Sequence, residues 1–168
     1  MWYVIQVKTG REEIVRQWLS ALADHRLYED CRIIDYETKK KRSGRWQIER
    51  KKAFPGYLFL ITEQIEAMRQ QLQRIPEFTK VLGTDGEIVP LSQEEERFLQ
   101  QLAGDGQCVE MSYGIQAGDQ VMIESGPLRG MESFVRKINR HKRTAIVEIT
   151  MFMEKREITL GLEILKKI

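Results

Sequence analysis

The pattern of apolar residues changes once along the chain, near Gly104, and that change constrains the fold more than any other feature. Before it, strand-like runs alternate with amphipathic helices; after it, only short alternating runs remain. Trp2 to Val7 reads as a strand. Thr9, Gly10, Arg11 and Glu12 read as a capping box ahead of Ile14, Val15, Trp18, Leu19 and Leu22, whose spacing predicts a helix. Cys31 to Thr38 and Ala53 to Ile61 are rich in strand formers, the second opening at Pro55-Gly56. Ile65, Met68, Leu72 and Ile75 predict a second helix that Pro76 stops, and Asp85-Gly86 predicts a short strand pair within 79–89. Ser92 with Glu95 forms another capping box before Phe98, Leu99 and Leu102, a third helix ending near Gly104.

Beyond that point Val121, Ile123, Phe134, Ile138, Ala145, Val147, Ile149, Ile158 and Leu160 fall on four or five short strands, the pattern of a small β-barrel. Asp105-Gly106, Ser112 and Gly114 supply a loop-like boundary. The expected fold class is α+β, with domains at 1–103 and 116–168 joined by a linker at 104–115. A chain of 168 residues accommodates two small domains. The second has a core of limited size, so weak stability in isolation is expected.

Charge is informative only when it is located. The chain carries 27 Lys and Arg against 25 Asp and Glu, a net +2. Lys39 to Lys52, KKKRSGRWQIERKK, holds eight of the cations (Lys39, Lys40, Lys41, Arg42, Arg45, Arg50, Lys51, Lys52) and one acid, Glu49. Ser43-Gly44 can turn it into a hairpin arm, and Trp46 offers a flat surface for stacking on a base. A solvated loop is the plain alternative. Arg140, His141, Lys142 and Arg143 form a second patch at an expected barrel tip, where facing water is alternative reason enough for charge. Apart from these two patches, sixteen cations stand against 24 acids. Two cationic sites on an anionic remainder favour one docking orientation for a polyanion.

Two other groups stand out. Trp2 and Tyr3 open the first strand, and Phe54, Pro55, Gly56 and Tyr57 open a later one; if the sheet brings these ends together they form an apolar pocket, or else ordinary core. Along Thr144 to Phe152, parity puts Ala145, Val147, Ile149 and Met151 on one face and Ile146, Glu148, Thr150 and Phe152 on the other. Phe152 is then either covered by Ile146 and Leu160 or presented to a partner.

Catalysis is not expected. HExxH, P-loop, GxSxG and strand-to-helix GxGxxG motifs are missing, and Glu94, Glu95 and Glu96 point around a helix instead of converging. His25 reads as a solvent-facing spacer. Cys31 and Cys108 lie outside any metal-ligand spacing, so no metal and no cofactor are expected, and the thiols read as reduced. With neither a readable secretory signal nor a membrane-length apolar run, a cytoplasmic protein is expected.

The assembled pattern resembles the NusG family of transcription elongation factors. WYVIQVKTGREE (Trp2 to Glu13) and KKAFPGYLFL (Lys51 to Leu60) resemble its NGN domain; GDQVMIESGPLRGMES (Gly118 to Ser133) resembles its KOW domain, an SH3-like barrel. Within the family the basic loop, SGPLRGMES, KINRHKR and GLEIL are most similar to the LoaP paralogues. The resemblance implies that Trp2, Tyr3, Phe54, Pro55, Gly56 and Tyr57 bind the clamp helices of RNA polymerase. It implies an operon-specific, processive antiterminator recruited by an RNA hairpin in the nascent leader, with the arm and the barrel tip as candidates for that RNA. A general elongation factor, or an adaptor coupling transcription to the ribosome, is the alternative. Ribosomal protein or Rho is the implied partner of Phe152, although Met153 stands where the general factor has glycine. A monomer is expected. Ser133 occupies a KOW glycine position, so either its backbone avoids positive φ or the barrel loses about 1 kcal/mol.

Overall fold

In the computed structural model, which describes residues 1–168 and the surroundings of all but Gly106, the described residues form fourteen strands and three α-helices. In chain order they are β1 (Trp2–Val7), α1 (Glu12–Leu22), β2 (Asp30–Arg32), β3 (Asp35–Arg42), β4 (Arg45–Lys52), β5 (Tyr57–Ile61), α2 (Ile65–Leu72), β6 (Phe78–Val81), β7 (Gly83–Thr84), β8 (Glu87–Ile88), α3 (Gln93–Ala103), β9 (Cys108–Val109), β10 (Ser112–Ala117), β11 (Gln120–Ser125), β12 (Val135–Asn139), β13 (Thr144–Met151) and β14 (Glu154–Lys167). The fold is α+β. Its residues gather into two compact units, Met1–Ile33 with Phe54–Glu96, and Ile34–Ala53 with Arg97–Ile168.

The first unit is an antiparallel sheet in the order β2-β5-β1-β6. Alternation along β1 and β5 puts Tyr3, Ile5, Val7, Leu58 and Leu60 on one face, where they pack with Val15 and Leu19 of α1 and Met68 and Leu72 of α2. Each fully buried aliphatic side chain contributes roughly 1.5–3 kcal/mol from burial, which is what holds these short helices in place. Trp18 and Leu22, although spaced with the core residues, remain exposed.

Local chemistry explains the departures from expectation. Thr9 does not cap α1: Arg11 is the N-cap without a side-chain bond, and the Gly10 N–H donates to Oε1 of buried Glu12 instead, at 2.5 Å. At α3 the capping box forms reciprocally, the Ser92 N–H donating to Glu95 at 3.0 Å and the Glu95 N–H to Ser92 Oγ at 3.1 Å. The expected single strand over Cys31 to Thr38 is two strands separated by Ile33 and Ile34, and this is where the chain leaves the first unit for the second.

The second unit combines the β3–β4 hairpin with the carboxy-terminal sheet, ordered β11-β10-β14-β13-β12. Residues 104–115, expected as a linker, are structured here: a 3-10 turn, β9 in parallel pairing with β3, and the start of β10. β14 pairs with β13 through its first half and with β10 through its second. Ala145, Val147, Ile149 and Met151 are buried, as parity predicts. Phe152 is not on the opposite strand face. It lies in the β13–β14 turn with φ of 54°, its side chain buried, while Met153 beside it is 91% exposed. Ser133 falls in a 3-10 turn outside the positive-φ residues, so no glycine is required there.

Candidate nucleic-acid interface

The basic run forms the hairpin that its turn residues predict. Ser43 and Gly44 both have positive φ, 51° and 76°, the mirror-image turn that suits strand twist, and β3 pairs with β4 from Asp35↔Lys52 to Arg42↔Arg45. In this register Lys41 faces Trp46, its Nζ 5.9 Å from the ring centroid. Arg42 is ion-paired with Glu49, and Lys52 lies 3.2 Å from Asp35. Lys40, Lys41, Arg42, Arg45, Trp46, Arg50 and Lys51 are exposed.

The arm packs on the barrel instead of standing free. Gly161 explains the close approach: a Cβ there would collide with the Glu37 carbonyl and the Met111 sulfur. The Met111 N–H donates to Glu37 Oε1 at 3.0 Å, and Thr38 Oγ1 donates to the Lys142 carbonyl at 3.4 Å. Lys39 Nζ sits 2.6 Å from Glu163 and 4.8 Å from the Tyr113 ring centroid, and Arg143 Nε donates to the other Glu163 oxygen at 3.4 Å. The Arg143 guanidinium lies 3.5 Å over the centre of Trp46. One carboxylate thus ties an arm lysine and a tip arginine together, and the arginine covers the arm's tryptophan.

Titration follows from this geometry. Burial alone pushes the Glu163 carboxyl up, but the hydrogen bonds and charges of Lys39 and Arg143 outweigh it, so it lies below its ordinary value. Burial pulls the Lys39 ammonium down; bonding to Glu163 and Tyr113 prevails and raises it. Both groups stay charged at neutral pH.

Between arm and tip runs an open groove of about 1240 Å³. Its walls include Lys39, Lys40, Lys41, Trp46 and Lys51 from the arm, and Lys137, Arg140, His141, Lys142 and Arg143 from the barrel, against Glu49 and Glu163. Both acids are already ion-paired. The excess of cations with one partly exposed aromatic is chemistry suited to a sugar-phosphate backbone with an accessible base. Arg42, Arg45, Arg50 and Lys52, also in the basic run, are not in its lining. Sequence reasoning found both patches but not that they face one another. It missed Glu163, Gly161 and Tyr113, whose partners lie far away in the chain, and Lys137, which precedes the basic tip in sequence but shares its groove.

The aromatic group is placed differently. Trp2 and Phe54 gather around Phe59, with centroid separations of 6.1 and 5.2 Å, and the Arg32 guanidinium lies 5.3 Å over Trp2. Trp2, Phe54 and Phe59 are buried. Tyr3 points to the opposite, helix-covered face, while Pro55 is exposed, Gly56 buried and Tyr57 half-buried. Gly56, with φ of 83°, makes the turn into β5, and its backbone lies against Val7 O and Thr9 Oγ1. The structure therefore joins Trp2 and Phe54 but not Tyr3.

Among the described residues no three His, Cys, Asp or Glu side chains form a metal-holding group, and no helix is long and apolar enough to cross a membrane. Both cysteines are free; burial pushes the Cys31 thiol up to about 12 and raises Cys108 as well.

A family model described as NusG, transcription termination factor nusG, matches residues 1–100. The transcription termination/antitermination proteins NusG of Treponema pallidum and Thermus thermophilus are each 26% identical over 165 residues, covering 90% of this chain and 89% of the relative. A solved structure on domain interaction in Thermotoga maritima NusG aligns with a TM-score of 0.59 at 24% identity, covering 97% of this chain and 93% of that one, a likeness of fold.

Proposed function

The chain belongs to the NusG family, and on that premise we propose that it is a cytoplasmic transcription antitermination factor of the LoaP kind. It binds RNA polymerase through the aromatic end of its NGN domain, residues 1–103, and a nascent RNA hairpin through the cationic groove. Lys39, Lys40, Lys41, Trp46, Lys51, Arg140, His141, Lys142 and Arg143 contact the RNA. Arg42, Arg45, Arg50 and Lys52 add to the field that steers it in. Trp2, Phe54, Pro55, Gly56 and Tyr57 form the polymerase-facing end, with Tyr3 supporting β1 from the helix-covered face, and residues 116–168 are the KOW module.

The observation that carries this reading is the shared groove. Two basic segments about a hundred residues apart in sequence line one cleft, with the acids among them already paired. An A-form stem is recognised by its backbone and shape, and a loop base is recognised by stacking, so cations flanking Trp46 suit a stem-loop. A ribosome-coupling role through Phe152 has less support, since that side chain is buried in a turn.

The test is in vitro transcription through a terminator, with and without a hairpin-bearing leader upstream. The expected result is read-through that requires the leader. Equal read-through on both templates means a general NusG-type factor, and no read-through on either overturns the proposal.

A further inference from the structure

We infer that the RNA track does not end at the barrel tip but continues along β12 into a second groove that takes the phosphates of a longer stem. The inference rests on the RNA reading above and extends its footprint. A smaller cavity of about 490 Å³ lies on the barrel between the β10–β11 end and β12, and Lys137 and Arg140 line it as well as the larger groove. The two therefore adjoin at Lys137 and Arg140. Lys167, at the far end of β14, lines only the second.

Lys137, Arg140 and Lys167 are exposed and, among the described residues, make no ion pair. The fourth cation of the groove, Arg136, is occupied by Glu148 at 2.6 Å and by the Ser133 carbonyl. Of the two acids lining it, Glu132 is turned to the protein, accepting the Ile123 N–H at 3.0 Å. Asp119 remains, so the net charge is smaller here than in the first groove. The chemistry suits one or two additional phosphates and no base, since no aromatic side chain lines it.

Alternation along β14 supplies an internal control. Lys166 and Lys167 are adjacent and both exposed, but their side chains leave opposite faces and only Lys167 reaches the groove. The experiment compares two RNA stem-loops sharing one loop, a stem of about eight base pairs and one of about 16, a length known to span successive grooves of an A-form duplex. Affinity is measured against salt for the wild type, Lys167→Gln, Lys166→Gln and the double variant Lys40→Gln with Lys41→Gln.

The expected result is a log-log salt slope steeper by about 1–2 for the longer stem. Lys167→Gln removes about one unit of it on the long stem only, while Lys166→Gln leaves it unchanged. If Lys167→Gln has no effect on the long stem, or Lys166→Gln has the same effect, the extension is overturned; weakening of both stems by the arm variant then leaves the first groove intact as the RNA site. If neither stem binds the wild type, both readings fall.

Discussion

Trp2, Phe54 and Phe59 meet ring to ring, buried, with a single cation, Arg32, over one of them. The groove of the second unit has opposite character, an open cleft walled by cations in which one aromatic ring is already stacked under Arg143. The first cluster is apolar and held by burial, so its residues cannot be altered without affecting the fold. The second is held by a few ion pairs, and most of its cations are exposed. Substitution at the aromatic end therefore costs stability, whereas most groove cations can be replaced with little effect on the fold, and this contrast can be tested.

The largest effect is expected at Phe59, which is fully buried between Trp2 and Phe54. Phe59→Ala leaves a cavity and removes both ring contacts, and a loss of about 3–5 kcal/mol is expected in denaturant unfolding. A loss below about 1 kcal/mol would show that the cluster is not part of the core and would break the contrast at its firmest point.

Next is Glu163→Gln, which removes the charge that Lys39 and Arg143 share at side chains about one-fifth exposed. A cost of about 1–3 kcal/mol in unfolding is expected. The sign of its pH dependence is set by the shifts. Glu163 is lowered, so its contribution is present above the ordinary carboxylate value of about 4.3 and fades as pH falls through the folded value. Lys39 is raised, so its share is present below about 10.4 and fades as pH rises through its folded value. The wild type should therefore lose part of its margin over the variant at both extremes, and a difference constant from pH 3 to 11 would contradict the pairing.

How far the sequence predicts these regions follows from the range of the contacts involved. Helix α3, the strand pair around Asp85-Gly86 and the Ser43-Gly44 turn rest on signals within a few residues and are where spacing and turn chemistry place them, whereas α2 starts at Ile65 as expected but ends at Leu72, one turn before Pro76. Arm and tip were legible as charged segments for the same reason. Their pairing was not, because it depends on Glu163, 124 residues from Lys39, and on Gly161, whose missing side chain matters only once Glu37 packs against it. Phe152 departs from the face that parity predicts because β13 stops at Met151 and the next residue turns. Tyr3 differs from Trp2 by strand parity, which sends neighbours to opposite faces.

A smaller effect is expected at Trp46. Base stacking is worth about 1–3 kcal/mol per base, so Trp46→Ala should weaken stem-loop binding by about tenfold while Trp46→Phe retains most of it. Unfolding should change little for either, since Trp46 is 48% exposed. Equal weakening by both variants would mean that the indole itself, and not an aromatic face in general, is what the site needs.

The smallest effect concerns the turn that presents the arm. Ser43 has φ of 51°, a left-handed conformation in which asparagine is more at ease because its short polar side chain bonds locally. Ser43→Asn should therefore stabilise the hairpin by about 0.5 kcal/mol, read as a slight rise in the unfolding midpoint. Ser43 is exposed and is not in the groove lining, so no RNA contact changes. Any gain in stem-loop affinity would come only from a better-ordered arm, and it should stay within about twofold, since 0.5 kcal/mol corresponds to a factor of roughly two. A larger gain would mean that the free arm spends most of its time away from the barrel, so that substitution in the groove costs order as substitution in the aromatic cluster costs stability.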